Sequence, residues 1–456
     1  MHFPAMDLSI FMHDHLWVVI LKALFGFILL ILFTLFGIVF ERKVLGRMQN
    51  RPGPTMNGPF GSLQSLADGL KSMLKEDITP SGVDKVVFML APAINVIPAV
   101  MIFALIPFAG EVPIPGGTTR LQVTDMPVSV LLLLGVTSVG IYGVVLAGWA
   151  SNSTFPLLGG IRASAQMISY EVAMGLSLVA VFIYAGSLST SEIVTAQDKL
   201  WFCLALIPSF IIFVISIFGE ANRTPFDLPE GESEIVGGYL TEYSSMRFAM
   251  FYMAEYMALA NVSAVCTTIF LGGYRAPIPF NWLGMDHAYW GLLWFVIKTV
   301  LFMAFMVWVR ATVPRFRYDQ FMNLGWKWLI PISLLWVLAV AALRTARTQG
   351  WFGQPALWIV VAVILLALVA AFLFGGRQED ETEEAEPEGE FDAFAGGFPV
   401  PPKQGQVLPE LAGVVQTAPP DSRTSEADLT PEGDHARGAR GVVPPAHEKG
   451  DRNGLA

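Results

Sequence analysis

The stretch LWVVILKALFGFILLILFTLFGIVF, Leu16 to Phe40, decides the fold class. As a helix rising 1.5 Å per residue it is long enough to cross the roughly 30 Å of hydrocarbon in a bilayer. It exceeds a signal-peptide core and has no small-residue cleavage site after it, so it is expected to be retained as a membrane helix. Working outward, comparable apolar runs predict spans at about Val86 to Phe108, Pro127 to Trp149, Arg162 to Ala185, Leu200 to Phe218, Phe248 to Leu271, Trp290 to Val309 and Trp328 to Leu343, and a ninth at Pro355 to Phe374. The expected fold is an all-α polytopic membrane protein. Its eighth span is short and interrupted by Pro331, which neighbouring helices can accommodate. A composition of 54% hydrophobic and 14% charged residues agrees.

The net charge of −10 is local. From Arg377 to the end, 17 acidic residues face 7 basic ones, a difference that accounts for all of it and leaves the rest of the chain neutral. This acidic segment is rich in Pro, Gly and Glu and poor in large apolar residues, so a disordered tail over 376–456 is expected after a core of 1–346 and an additional helix at 347–375. The loop from Glu41 to Asp84 differs: Leu63, Leu66, Leu70, Met73 and Leu74 repeat at helical spacing and predict a short amphipathic helix along the membrane surface. Basic residues fix the orientation. Arg42, Lys43, Arg47, Arg51, Lys71, Lys75, Lys85, Arg162, Arg223, Arg247, Arg310, Arg315, Arg317 and Lys327 fall on one side, against Arg120, Lys199, Arg275, Arg344 and Arg347 on the other. The richer side is expected in the cytoplasm, with the N-terminus outside and the tail inside. Cys203 and Cys266 lie in apolar runs and read as small hydrophobes, and every histidine lies outside the spans, so no intramembrane haem or metal site is expected. Neither a Walker lysine loop nor a Rossmann glycine pattern occurs, which leaves nucleotide chemistry to a partner.

Charge inside a span is costly and needs a partner, a wet cavity or a route to the interface. Glu171 lies about 13 Å beyond Arg162 along its helix, Glu255 at a similar depth beyond Arg247, and Glu220 at the same end of the fifth span. Their shared side and depth suggest one polar pathway, a series of carboxyls passing protons through water. The plainer alternative is structural pairing with Arg162, Arg223, Arg247 or Lys298. Arg162, Gln166 and Tyr170 recur every fourth residue and would form a polar stripe beside Glu171.

The loop Glu220 to Glu234, EANRTPFDLPEGESE, is the densest charge cluster of the membrane part. Pro225 and Pro229 forbid a continuous helix, and Glu230, Glu232 and Glu234 alternate so that on an extended strand they would share one side. A binding or proton-input role fits this proline-fixed run better than a solvated charge run does. Anchoring by positive charge would explain the arginines at 42–51 and 310–317, but not Glu41 beside Arg42, nor the Arg315-Phe-Arg317-Tyr-Asp319 run.

These residues together carry a resemblance. Glu41-Arg-Lys with Arg51-Pro-Gly-Pro, Leu66-Ala-Asp-Gly-Leu-Lys71, Arg162 with Gln166-Met-Ile-Ser-Tyr-Glu171, Glu220-Ala-Asn-Arg-Thr-Pro-Phe-Asp227 through Glu242-Tyr, and Pro314-Arg-Phe-Arg-Tyr-Asp-Gln320 are similar to the quinone-site membrane subunits of respiratory complex I, the proton-pumping NADH:quinone oxidoreductase. The resemblance covers about Leu16 to Leu343 and leaves out the ninth span and the tail. It implies that Glu41, Arg42, Arg51 and Asp68, with Arg223 and Asp227, line a quinone chamber roofed by peripheral subunits. Those subunits would carry FMN and iron–sulfur clusters. Quinone would be the substrate, and this chain would bind no cofactor or metal of its own. Glu230, Glu232 and Glu234 would couple quinone reduction to proton movement. Glu171, Glu220 and Glu255 would begin a charged axis toward antiporter-like membrane subunits, and Arg315, Arg317 and Asp319 would dock a partner. The location implied is the bacterial cell membrane, with no nucleic-acid partner.

Two other classes compete. A membrane anchor of a proton-pumping hydrogenase would share the fold and buried glutamates without needing quinone, but the intact Glu41-Arg-Lys, Arg51-Pro-Gly-Pro and acidic-loop runs favour the quinone enzyme. A stand-alone cation/proton antiporter would have no use for so large a charged docking face.

Overall fold

The computed structural model describes residues 14–114, 117–198, 200–227, 236–277 and 289–348. All of them belong to the first of two units, Met1–Phe374. The ninth span, the tail and the loop glutamates Glu230, Glu232 and Glu234 lie outside the described residues.

Among the described residues, seven helices are long and apolar enough to cross a membrane: α1 (Leu16–Met48), α3 (Lys85–Ala104), α4 (Ser129–Ala150), α5 (Thr154–Ala185), α8 (Ser245–Phe270), α9 (Trp290–Thr312) and α10 (Tyr318–Thr348). Shorter ones are α2 (Gln64–Leu74), α6 (Thr190–Ala196) and α7 (Ile207–Glu220). This is an all-α polytopic membrane protein, and each of the first eight expected spans has its counterpart. The boundaries move for identifiable reasons. No helix breaker stands between Phe40 and Met48, so α1 continues through Glu41-Arg-Lys and ends only at Asn50 (φ 53°) and Arg51-Pro52. Glu41 is therefore a helical residue and does not open a loop as expected. Toward its start, α5 admits Pro156, whose missing N–H would have no partner within the first turn. The fifth span is divided: a turn at Phe202–Ala205 stops at Leu206 and α7 restarts at Ile207, because Pro208 lacks an N–H and its ring crowds the carbonyl four residues back. In α10 the turn Leu324–Leu329 widens to a π-helix just ahead of Pro331, which relieves the same clash.

The expected amphipathic helix is α2, with Leu66, Leu70, Met73 and Leu74 all exposed. A feature not expected is a hairpin, β1 (Ala109–Ile114) against β2 (Gly117–Leu121), antiparallel with Val112 opposite Thr119. It sits with the start of α1, where Lys22 Nζ bonds Asp14 at 2.5 Å and Thr119 Oγ1 at 2.6 Å, so a lysine inside the first span is neutralised where it is buried. The interior is a continuous apolar cluster built from α3, α5, α7, α8 and α9, with Phe103, Tyr170, Phe213, Phe270 and Phe295 fully buried. Helices α3 and α4 pack closely at Gly143, where a Cβ would stand 2.8 Å from the backbone nitrogen of Asn95.

Candidate functional site

The loop after α7 is the hinge of the site, and its shape comes from α5 and α10. Asn222 takes the left-handed conformation at φ 48°. The buried amide of Gln166 reaches the carbonyls of Gly219 (2.7 Å) and Phe226 (2.6 Å) and Oδ1 of Asn222 (3.1 Å), which ties the loop to α5. Tyr170 stacks on Phe321 with ring centres 4.1 Å apart and donates to the Phe321 carbonyl at 3.0 Å. At Gly219 a Cβ would lie 2.7 Å from the Tyr170 ring, so glycine is what allows α7 to reach α5 here. Gln166 and Tyr170 thus hold the loop in place, and the stripe expected from their spacing serves architecture instead of facing Glu171. Phe316 N–H bonds the Pro225 carbonyl at 3.1 Å and Arg315 pairs with Asp227 at 3.1 Å, fixing the far side of the loop.

The loop delivers Arg223 into the bundle, where it is only 3% exposed. Its guanidinium bonds both oxygens of Glu41 from α1 at 2.9 and 2.8 Å, meets Glu255 of α8 at 3.1 Å, and lies over the Tyr256 ring at 4.3 Å. Burial alone would lower the pKa of Arg223, but the carboxylates of Glu255 and Glu41 outweigh it and hold the guanidinium firmly protonated. Glu41, equally buried, also pairs with Arg310 of α9. Arg310, Glu41, Arg223 and Glu255 therefore form one line of alternating charge across four elements. Two positive and two negative groups cancel, which is the condition for keeping such charges inside the protein.

That line ends at a cavity. It offers about 100 Å³ to water, enough for several molecules, and its lining includes Glu171, Glu220, Glu255, Asn95, Asn261 and Thr137 among apolar side chains. The three glutamates predicted to share side and depth therefore meet in one cavity. Only Glu255 carries an ion pair there; among the described residues neither Glu171 nor Glu220 forms one. Glu171 accepts hydrogen bonds from Ser138 and Thr137 of α4, whereas Oε2 of Glu220 is buried without a hydrogen-bond partner among the described residues. A carboxyl so placed must either bind a proton or draw on water. Pairing explains Glu255 through Arg223, while Arg247 pairs with Asp77 and Lys298 donates to the carbonyls of Leu271, Gly273 and Arg275.

The remaining predicted site residues lie nearer the surface. Arg42 bonds Asp68 at 2.5 Å and so ties the end of α1 to α2, and Arg51 is exposed just beyond it. Arg315, Arg317 and Asp319 are exposed on the segment that enters α10. Five contributors, Asn95, Thr137, Ser138, Asn261 and Arg310, are not among the residues that the sequence singles out for the site. Arg310 reads there as an anchoring charge, and the other four are polar residues within apolar helices; a mid-span polar side chain is the available signal.

The sequence model of the NADH dehydrogenase family matches residues 21–341. The H subunit of the NADH-quinone oxidoreductase of Cutibacterium acnes is 55% identical over 417 residues, covering 88% of this chain and 94% of that protein. Its counterpart of the same name in Streptomyces avermitilis is 51% identical over 418 residues, covering 90% and 92% respectively. Coverage of that extent carries the similarity past residue 341, into the C-terminal extension that the family model leaves out.

Proposed function

Because the chain belongs to the NADH dehydrogenase family, we propose that it is the membrane subunit of a bacterial proton-pumping NADH:quinone oxidoreductase that forms part of the quinone site and carries protons away from it. The observation that carries this reading is the neutral ion line from Arg310 through Glu41 and Arg223 to Glu255, opening on the cavity shared with Glu220 and Glu171. Such a line links a surface event to buried carboxyls without moving a helix: a change of charge at one end alters the field at each partner in turn, and the low dielectric of the interior preserves that effect over distance.

Arg42, Asp68 and Arg51 are the rim on which a quinone headgroup would settle, and Glu41, Arg223 and Asp227 stand behind it. Glu230, Glu232 and Glu234 follow directly in the sequence and would couple quinone reduction to proton movement. Reduction of a quinone takes up two electrons and two protons, and the transient anion is the signal that the ion line would sense. The electrons would arrive through FMN and iron–sulfur clusters of peripheral subunits docked on Arg315, Arg317 and Asp319, and antiporter-like subunits would continue the proton path. The basic end of the bundle would face the cytoplasm.

Arg42→Ala in the assembled complex tests the quinone half of this reading. Quinone reduction by NADH should fall while NADH oxidation by a soluble artificial acceptor persists. Unchanged quinone reduction would remove Arg42 from the site, and equal loss of both activities would indicate failed assembly.

A further inference from the structure

We propose that Ser138 is the positioning residue of Glu171, a two-position hydroxyl that holds this carboxyl in place whether or not it carries a proton. The inference rests on the proton-transfer reading above and adds a residue to it. Ser138 Oγ donates to Glu171 Oε1 at 2.5 Å and lies 3.0 Å from the carbonyl of Leu134, one turn back in α4. Thr137 has the opposite preference: 2.7 Å from the same carbonyl and 3.3 Å from Glu171. A serine or threonine inside a helix ordinarily satisfies itself on such a carbonyl. Thr137 lies nearer that carbonyl, whereas Ser138 lies nearer Glu171 and keeps the carbonyl as its second acceptor.

Each hydroxyl has one proton to give and two lone pairs to receive with. With Glu171 ionised, the Ser138 proton points to the carboxylate, which can only accept. Once Glu171 binds a proton it becomes the donor. Its O–H turns to the Ser138 oxygen, and the serine proton swings to the Leu134 carbonyl at 3.0 Å, which it then shares with the Thr137 hydroxyl and the helix's own N–H. One hydrogen bond reverses direction, the serine keeps its own proton throughout, and no heavy atom has to move.

Glu220 supplies the contrast. It lines the same cavity, but its buried Oε2 has no hydrogen-bond partner among the described residues. Of the two cavity carboxyls without an ion pair among the described residues, one is held by a switchable hydroxyl and the other is not.

The assembled complex is compared as wild type, Ser138→Ala, Ser138→Thr and Glu171→Gln, by redox-induced infrared difference spectroscopy and by protons moved during quinone reduction in sealed vesicles. The protonated carboxyl band of Glu171 is the one missing in Glu171→Gln. In Ser138→Ala that band should move to higher frequency and the proton-coupled rate should drop about tenfold, as expected for loss of one charge-assisted hydrogen bond; Ser138→Thr should restore both. An unmoved band in Ser138→Ala, the absence of any band attributable to Glu171, or a rate loss that Ser138→Thr leaves in place would each overturn the proposal. The two readings fail differently. Full pumping by Glu171→Gln refutes the relay itself, whereas an unmoved band with Glu171→Gln uncoupled refutes only the serine.

Discussion

Arg223 and Glu41 offer the sharpest energetic test, because their coupling can be separated from the cost of removing either one. Arg223→Met deletes two hydrogen bonds to Glu41, the contact with Glu255 and the stacking on Tyr256. Breaking a buried pair from one side costs about 3–5 kcal/mol, since the other charge stays behind in a medium that solvates it poorly. Glu41→Gln leaves Arg223 and Arg310 facing a neutral amide and should cost a comparable amount. In the double variant the two charges leave together, and Arg310, partly exposed, can turn to water. The double substitution should therefore cost well below the sum, with a coupling of about 2 kcal/mol. The assay is the half-life of thermal inactivation of the purified complex at a fixed temperature, where 2 kcal/mol is about thirtyfold in rate. Independent effects, multiplying to within a factor of about two, would refute the ion line as an energetic unit. The half-exposed Arg42–Asp68 pair serves as the control, with coupling expected at about 0–1 kcal/mol.

Further substitutions separate architecture from chemistry. Gly219→Ala puts a methyl group 2.7 Å from the Tyr170 ring and should destabilise the loop anchor by about 1–3 kcal/mol, read as less assembled complex and faster thermal inactivation. Lys22→Ala leaves the buried Asp14 without its ammonium partner and should cost about 3–5 kcal/mol, while Lys22→Ala with Asp14→Asn should recover most of the loss; turnover per assembled complex should stay unchanged in both, because this pair lies at the hairpin, away from the cavity.

Much of this was legible in the chain itself. Apolar runs of bilayer length give spans directly, since no other fold satisfies the backbone in lipid. Glu171, Glu220 and Glu255 could be placed together because helical rise converts sequence distance to depth. The ends of helices were harder, since hydropathy stops at the first charge whereas a helix stops at a breaker; hence Glu41 lies within α1, which runs to Met48. The hairpin went unread although Val112 and Ile114 alternate ahead of Pro115-Gly116-Gly117, a pattern that suggests two strands and a turn. The partner of Glu41 could not be read at all: Arg223 and Arg310 lie 182 and 269 residues away along the chain. Only the packing of α1 against α8 and α9, and the fold of the loop after α7, brings them together.

If the cavity carboxyls move the protons that quinone reduction drives, the number of protons translocated per electron in sealed vesicles carrying the complex with Glu220→Gln will show it. Glutamine keeps the size of the side chain but cannot take up and release the proton. That ratio should fall markedly, with NADH oxidation by soluble acceptors preserved. A wild-type ratio at wild-type turnover would contradict that role.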